Sequence, residues 1–422
     1  MNLPLVVGVV VFAVGILVSV ALHEVGHLLP AKLFGVHVSQ YMVGFGRTLV
    51  SRRRGDTEYG LKALPLGGYV RLTGMYPPAR RRARGPFAAV IEAAREQALA
   101  DIPPEARSRA FYTREPWQKL VVMAGGPVMN LLLAFVLLGV ADVAIGVPTP
   151  VLRPVVASVS PCVPSSTTAA CTAGDPPSPA ARAGLRAGDR IVAVDGRSVS
   201  TWAQAQGLIK AATGSTAITL ERAGVRRTVA LVLAHVSDVA DDGSRRRVGF
   251  LGVSAEASWT SKRSGLGPVA STWWSQVSGT ARAIVHLPQR VATAVTDAVS
   301  SRRRSADSPS SIVGAGRVGG DIASAQIPLW ARVQLFIGLL ASVNVALAVF
   351  NLIPLLPLDG GHIVGALWEW IRRGLARLRR RPDPGFVDVA KAIPLAYAVA
   401  GLIVVSSALL IYADVVDPVR FG

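Results

Sequence analysis

Residues 3–29 of the chain, LPLVVGVVVFAVGILVSVALHEVGHLL, decide its fold class. Every residue before His23 in this stretch is uncharged, and nearly all are apolar. Because a helix needs about 20 such residues to cross the hydrocarbon core of a bilayer, the stretch predicts a membrane-spanning helix. A cleaved signal peptide is the alternative, but residues 1–4 carry no Lys or Arg and the apolar run is longer than a signal peptide needs. We therefore expect a retained helix.

Three further stretches have the length and composition of membrane spans, namely Leu120–Val147, Leu335–Leu358 and Ile393–Tyr412. The overall composition agrees, since 51% of the 422 residues are hydrophobic, which is high for an ordinary soluble domain. The sequence predicts a polytopic α-helical membrane protein with about four transmembrane helices.

The chain is strongly basic, with a formal net charge of +19, and the positions of its arginines predict the topology. Residues 30–117 contain more Lys and Arg than Asp and Glu, and an arginine-rich connector follows Asp359. An excess of Lys and Arg near the ends of membrane spans favours the cytoplasmic side, so both connectors are expected in the cytoplasm. With four spans, both termini and residues 148–330 are then expected outside the cytoplasm. Nucleic-acid binding is disfavoured, because the arginines are dispersed and much of the chain must lie in lipid.

Two regions of different character follow the first span. Residues 37–75 alternate between apolar and polar side chains and are punctuated by glycines, which is typical of short β-hairpins. Residues 77–114 are rich in Ala, Arg, Pro and Glu without a sustained apolar face. They indicate a solvated insert, with room for a short helix at Phe87–Leu99.

Residues 148–260 contain a small folded region rich in β-structure. A helix is predicted near Trp202–Lys210, and alternating apolar residues predict strands at Arg190–Val194, Ala217–Leu220 and Thr228–Leu233.

Two features flank these strands. Cys162 and Cys171 are the two cysteines of the chain, and outside the cytoplasm a disulfide is favoured over a shared metal site. Residues 266–299 have apolar residues at helical spacing. They fit equally well a helix at the membrane interface and an ordinary amphipathic helix.

His23-Glu24-Val25-Gly26-His27 has the pattern H-E-x-x-H within the predicted first helix. The two imidazoles fall one turn apart on one helix face, where both can reach one zinc ion, and Glu24 lies beside them as a candidate proton acceptor. Ionisable side chains at membrane depth are unfavourable unless they pair, bind metal or face a watery cavity. Two histidines that are satisfied by hydrogen bonds alone are the alternative.

A catalytic zinc site takes a third protein ligand and leaves one position open. Asp359 is the best candidate, since it lies in NLIPLLPLDGG at 351–361, where prolines and glycines prevent a continuous helix. Irregular backbone at membrane depth is found where it is buried in protein or lines a cavity. The predicted topology places Asp359 at the depth of His23 and His27. A capping role at a helix end is the alternative.

Together and in this order, the motifs resemble the site-2 protease family of intramembrane zinc metalloproteases, in the bacterial form that carries a PDZ domain. The resemblance covers nearly the whole chain. Its parts are H-E-x-x-H at 23–27, Gly67-Gly68-Tyr69-Val70, Gly126-Pro127 with Asn130, SPAARAGLRAGDRIVAVDG at 178–196, and NLIPLLPLDGG at 351–361.

The resemblance implies a zinc metalloendopeptidase that binds one Zn²⁺ per chain. The implied substrates are single-span membrane proteins, with anti-sigma factors as one candidate group, cleaved within the lipid bilayer near the cytoplasmic side. A PDZ-like domain outside the cytoplasm would be a candidate for binding a peptide. The implied site residues are the zinc ligands His23, His27 and Asp359, the general base Glu24, and the substrate-binding residues Asn351, Gly68 and Tyr69.

The predicted organisation combines transmembrane helices, a membrane-associated β-hairpin region on the cytoplasmic side and one extracytoplasmic PDZ-like α+β domain. Its segments are helix one at 1–30, the β region at 31–76, a cytoplasmic insert at 77–116, helix two at 117–147, the PDZ-like domain at 148–260, an amphipathic helical linker at 261–331, helix three at 332–362, a basic cytoplasmic connector at 363–390 and helix four at 391–414.

The chain departs from the family pattern in its long insert, in the cysteine-containing loop at 160–177 and in having one evident PDZ-like unit. These departures bear on substrate delivery. A non-catalytic membrane scaffold that docks partners through the PDZ-like domain is the rival hypothesis. A transporter is disfavoured, because the two halves of the chain show no self-similarity.

Overall fold

A computed structural model describes residues 3–78, 83–164, 171–172, 174–239, 245–299 and 311–416. The chain forms two compact units, Met1–Val147 with Arg263–Gly422, and Pro148–Lys262. The first unit holds most of the helices and a β-hairpin, and the second unit is a small β domain.

The helices are numbered in chain order. They are α1 (Leu3–Leu33), α2 (Ala88–Ala100), α3 (Pro116–Gly139), α4 (Pro179–Arg182), α5 (Trp202–Ala211), α6 (Leu266–Val285), α7 (Leu287–Val299), α8 (Ile312–Ser324), α9 (Leu329–Asn351), α10 (Asp359–Leu378) and α11 (Ile393–Val416). Short 3₁₀ turns lie at Pro104–Arg109, Phe111–Thr113 and Val389–Ala392, and a π-helical turn at Val140–Ile145 extends α3.

The strands are β1 (Val38–Arg54), β2 (Thr57–Leu72), β3 (Val147–Val159), β4 (Arg190–Val194), β5 (Arg197–Ser198), β6 (Ser215–Arg222), β7 (Val225–Val232), β8 (Ala234–Val239), β9 (Arg245–Phe250) and β10 (Val253–Lys262). β1 and β2 belong to the first unit, and the sheets of the second unit contain the others.

Four helical segments of the described residues are long and apolar enough to cross a membrane, and they are Leu3–Leu33, Pro116–Ile145, Leu329–Asn351 and Val389–Val416. Their surfaces carry many exposed Leu, Val and Ile side chains. Such surfaces are stable in contact with lipid. The chain is therefore a multi-pass membrane protein with an additional β domain.

The region predicted as the third span, residues 332–362, contains the end of one helix and the start of another, with the predicted break between them. Its helix, α9, ends at Asn351, and α10 begins separately at Asp359. Pro354 and Pro357 lie between them and lack the N–H that a continuing helix would need. As a result, much of the predicted connector at 363–390 is the helix α10.

α1 and α3 approach most closely at a pair of glycines. A Cβ atom on Gly26 would lie 2.3 Å from the carbonyl oxygen of Gly125, and one on Gly125 would lie 2.0 Å from the carbonyl oxygen of Gly26. Pro30 cannot donate the usual helical hydrogen bond to the Gly26 carbonyl. Small residues at such a crossing let two membrane helices pack backbone to backbone.

The β region after α1 is one long hairpin that curls on itself. Val43 pairs with Gly68 on one side and with Leu61 on the other, and Leu61 pairs in turn with Val50. The hairpin is tied to the first helix, because the Tyr41 hydroxyl donates a 2.9 Å hydrogen bond to the carbonyl of Ala21.

A buried ionic cluster joins α3 to α10. The Lys119 ammonium donates to both oxygens of Glu369, at 3.0 and 2.9 Å, and Arg373 lies 3.0 Å from the same carboxylate. All three side chains are at most 10% exposed. Because an unpaired buried charge is costly, this cluster holds the two helices in one relative position.

The insert at 77–116 is less solvated than the sequence indicates. Its helix α2 buries Ile91 against Ala390 and Ile393 at the start of the fourth span. Arg95 of α2 is buried and pairs with Glu92 and Asp388, each at 2.7 Å. Arg80, Arg81 and Arg82 lie outside the described residues.

The predicted amphipathic segment at 266–299 forms two helices, α6 and α7. α6 packs on α3, where the Trp273 indole N–H donates a 3.1 Å hydrogen bond to the carbonyl of Leu131.

The second unit contains a sheet with strand order β10-β3-β4-β6-β7, in which β5 also pairs with β4, and a separate β8-β9 pair. Its core gathers residues from the sheet and from α5, among them Ile191, Val194, Trp202, Ile209 and Ile218. The strand and helix predicted at Arg190–Val194 and Trp202–Lys210 correspond to β4 and α5. Cys162 and Cys171 form a disulfide bond.

Asp189 precedes β4 and is buried. It accepts hydrogen bonds from Arg222, at 2.6 and 2.8 Å, and from the backbone N–H of Arg186 at 2.8 Å. The hydrogen bond from Arg222, followed by that from Arg186, holds the pKa of the Asp189 carboxyl below its usual 3.8. Its stabilising contribution is therefore present above that value and is lost as the pH falls through the lowered pKa.

Replacing Asp189 with Asn should lower the free energy of unfolding of the β domain by about 1.5–3 kcal/mol at pH 7, because Arg222 loses a charged acceptor. Hydrogen exchange of residues 186–222 in the full chain measures this. Glu221→Gln is the control, since its pair with the exposed Arg226 at 3.6 Å should contribute less than about 1 kcal/mol. Equal protection in both variants, or a difference that does not shrink below pH 3.8, would contradict this role of Asp189.

Candidate metal and active site

Two histidines of α1, His23 and His27, meet Asp359, which is distant in sequence, in the first unit, and these three side chains are called the triad below. His23 Nε2 lies 3.2 Å from His27 Nε2, and each of these atoms lies 3.3 Å from Asp359 Oδ2. Both imidazoles are buried and the carboxylate is 21% exposed. Among the described residues these three form a group of His, Cys, Asp or Glu side chains that could hold one metal ion.

The helices place these groups in two ways. His23 and His27 are four residues apart in α1, so both project from one face. Asp359 is the first residue of α10 and follows the break after α9. A carboxylate in the first turn of a helix lies near the positive end of the helix dipole, which stabilises its charge.

The orientation of His27 is set by α3. Its Nδ1 lies 2.8 Å from the carbonyl oxygen of Val122. Because a carbonyl only accepts, Nδ1 donates this hydrogen bond, and the lone pair of Nε2 is left to face Asp359 and His23. Backbone carbonyls commonly orient metal-binding histidines in this way.

Gly126 of α3 leaves the space that the imidazoles occupy. A Cβ atom at this position would lie 2.2 Å from His27 Nε2 and 2.6 Å from His23 Nε2. Those separations are far shorter than a van der Waals contact, so even an alanine side chain would displace the imidazole nitrogens.

The donor set fits a zinc ion. Zinc binds imidazole nitrogen and carboxylate oxygen at about 2.0–2.2 Å in tetrahedral geometry, which separates neighbouring ligand atoms by about 3.3 Å. The three observed separations, 3.2, 3.3 and 3.3 Å, match that spacing. Three ligands leave a fourth tetrahedral position for water or substrate.

Glu24 and the substrate residues expected from the sequence line the same cavity of about 1070 Å³ as the triad. Gly68 lies against Glu24, because a Cβ on Gly68 would be 3.2 Å from Glu24 Cγ. The Tyr69 ring stacks on Phe45, and its hydroxyl donates to the Gln40 amide oxygen at 3.3 Å. Asn351, at the end of α9, completes the predicted set.

Four polar residues that line the cavity were given no role in the sequence analysis, and they are Gln40, Arg71, Asn130 and His362. Asn130 was noted as part of a motif, and it lies one turn beyond Gly126 on α3. His362 lies three residues after Asp359 in α10. Helical periodicity places such residues on the same face of a helix, but the sequence analysis did not predict that a helix begins at Asp359. Asn344 of α9 is not among the residues that line this cavity, and its amide nitrogen donates hydrogen bonds to Ser19 Oγ and to the Leu340 carbonyl.

Comparison with known proteins agrees with this geometry. The family model Peptidase family M50 matches residues 11–382. Zinc metalloprotease Rip1 of Mycobacterium tuberculosis (strain ATCC 25618 / H37Rv) is 34% identical, with 98% of each chain covered. Zinc metalloprotease Rip1 of Mycolicibacterium smegmatis is also 34% identical, again with 98% of each chain covered.

A more distant relative, a putative zinc metalloprotease of Brucella suis biovar 1, is 28% identical and covers 85% of each chain. All three relatives carry the name zinc metalloprotease. The region that matches the family model includes His23, His27 and Asp359. The chain is therefore a zinc metalloendopeptidase and belongs to peptidase family M50, the site-2 protease family.

Proposed function

We propose that this enzyme hydrolyses a peptide bond within the transmembrane segment of a membrane protein substrate. One observation carries the proposal. Two imidazoles on a membrane-spanning helix and a carboxylate from a distant helix converge, with Glu24, on one cavity of the first unit. Ionisable groups at membrane depth are costly unless they serve a site of this kind.

We assign His23, His27 and Asp359 as the residues that hold the zinc ion. When bound, zinc acts as a Lewis acid that polarises the scissile carbonyl and makes water more acidic. The chain supplies the rest of the site, since Val122 fixes the His27 imidazole and Gly126 leaves room for both rings.

Glu24 is proposed as the general base. Its position beside His23 on α1, against Gly68 of the hairpin, places its carboxylate in the cavity next to the triad. The carboxylate accepts a proton from the attacking water as the water oxygen bonds to the carbonyl carbon. It then delivers that proton to the departing amine as the C–N bond breaks.

The substrate backbone needs partners once its helix unwinds, because lipid offers none. Residues 67–70 of β2 line the cavity, and among the described strands β2 pairs with β1 alone. An extended substrate segment could add to the remaining edge of this strand. Gly68 and Tyr69 on one side and the Asn351 amide on the other are then the proposed substrate contacts.

The distribution of Lys and Arg supports a cell-membrane topology with the active site near the cytoplasmic side and the β domain, as a PDZ-like module, outside the cytoplasm.

Single-span membrane proteins are the proposed substrates, with anti-sigma factors as candidates. The β domain would bind a peptide, such as a chain end, without taking part in the chemistry.

Gly126→Ala should abolish stoichiometric zinc binding, because its Cβ would occupy the space of both imidazole Nε2 atoms. Elemental analysis of purified protein measures the zinc content. Gly139→Ala is the matched control on the same helix, since a Cβ there meets nothing within 4 Å. About one zinc per chain is expected in the wild type and in the control. A full complement of zinc in Gly126→Ala would refute the ligand assignment.

Glu24→Gln should reduce kcat for cleavage of a single-span substrate by about a hundredfold to ten-thousandfold, because it removes the proton acceptor and keeps the shape. Zinc content should stay near that of the wild type, since Glu24 is not among the ligands. Asp359→Ala should lose both zinc and cleavage. Purified enzyme in nanodiscs with mass spectrometry of the products provides the measurement, and wild-type rates in Glu24→Gln would sink the proposed mechanism.

A further inference from the structure

Asn130 is an unusual residue for the middle of a membrane span. Its side chain is fully buried, and neither its amide nitrogen nor its amide oxygen has a hydrogen-bond partner among the described residues. Leaving a buried polar group unsatisfied costs about 1–3 kcal/mol. Because such groups are rare in native proteins, the unpaired amide of Asn130 calls for an explanation, and a partner supplied by the substrate is one.

A second buried asparagine of the membrane spans shows what a structural amide looks like in this protein. Asn344 of α9 is also fully buried, and its oxygen has no partner among the described residues, but its nitrogen donates to Ser19 Oγ at 2.9 Å and to the Leu340 carbonyl at 2.8 Å. It therefore links α9 to α1. Asn130 makes no comparable link in the described structure, although it lies on α3 between the same two helices.

The cavity around Asn130 indicates what its partner is. Asn130 lines the wall of the active-site cavity, together with Val20 of α1 and with Leu347 and Asn351 of α9. Asn130 lies one helical turn after Gly126, which is the residue that packs against the imidazole nitrogens. The rise along the helix between the two residues is about 6 Å. An extended peptide advances about 3.3–3.6 Å per residue. The amide is thus one to two residues away from a scissile bond placed at the triad.

The substrate chemistry matches this position. A transmembrane segment offers few polar side chains, so its exposed peptide groups are the main hydrogen-bonding sites after unwinding. A carboxamide carries both a donor and an acceptor and can satisfy the C=O and the N–H of a peptide backbone together.

We propose that the Asn130 amide binds the unwound substrate backbone one to two residues from the scissile bond, and so positions that bond at the metal site. This inference rests on the proposed function. Asn130 acts with Asn351, so the extended segment is held between two amides on one side and the 67–70 strand on the other. Recognition of this kind depends on the substrate backbone and not on its side chains.

The test replaces Asn130 with Leu, which keeps the branching of the side chain, is somewhat larger, and replaces both polar atoms with methyl groups. Cleavage of a single-span substrate by the full chain in nanodiscs should fall about tenfold to a hundredfold in kcat/KM, as expected for the loss of one or two hydrogen bonds. Zinc content should equal that of the wild type. The unfolding temperature should be unchanged or higher, because an unsatisfied polar group has been removed. The matched control, Asn344→Leu, should lower the unfolding temperature and keep kcat/KM of the folded enzyme within about twofold.

A binding measurement separates failure of this inference from failure of the proposed function. In the Glu24→Gln background, where cleavage is blocked, Asn130→Leu should weaken binding of a fluorescent peptide copied from the substrate span by about tenfold or more. Unchanged binding and cleavage in Asn130→Leu, or loss of its zinc or its thermal stability, would overturn the role of Asn130. Equal cleavage by wild type and Glu24→Gln would instead overturn the proposed mechanism. The binding measurement would then still show whether Asn130 contributes to substrate binding.

Discussion

The structure depends on the convergence of two imidazoles on α1 with a carboxylate at the start of α10, inside the unit that carries the membrane spans. Ionisable side chains in such surroundings are unfavourable in isolation, so the packing around them has to be close and specific. The Gly26–Gly125 crossing brings α3 against α1, and Gly126 then faces the imidazoles without a side chain. The same helix carries Val122, whose carbonyl orients His27.

The carboxylate is placed by a different interaction. Asp359 begins a helix whose position is held by the buried Glu369, which binds Lys119 of α3 and Arg373 of its own helix. α3 thus contacts the histidines with one segment and anchors the helix of the third ligand with another. A buried ionic cluster is weak evidence for stability, but removal of one member leaves an uncompensated charge. Its value here is that it leaves α10 few alternative positions.

Local patterns in the sequence were sufficient for part of this account. The apolar run before His23 predicted the first span, helical spacing placed His23 and His27 on one face, and the prolines before Asp359 marked a break. Other features depend on contacts between distant segments. The end of α9 at Asn351, the burial of Arg95 against Asp388 and the approach of Gly126 to the imidazoles are of this kind. Periodicity reports which face of a helix is apolar and does not report which helix covers it.

The most direct test of the central claim is X-ray absorption at the zinc edge of the purified full-length protein. Two imidazoles with nitrogen at about 2.0–2.1 Å and a carboxylate with oxygen at about 2.0–2.2 Å are predicted around the zinc, with no sulfur, and His27→Ala should lose most of the bound zinc. A sulfur shell near 2.3 Å, or an imidazole signal that His27→Ala leaves unchanged, would contradict this claim.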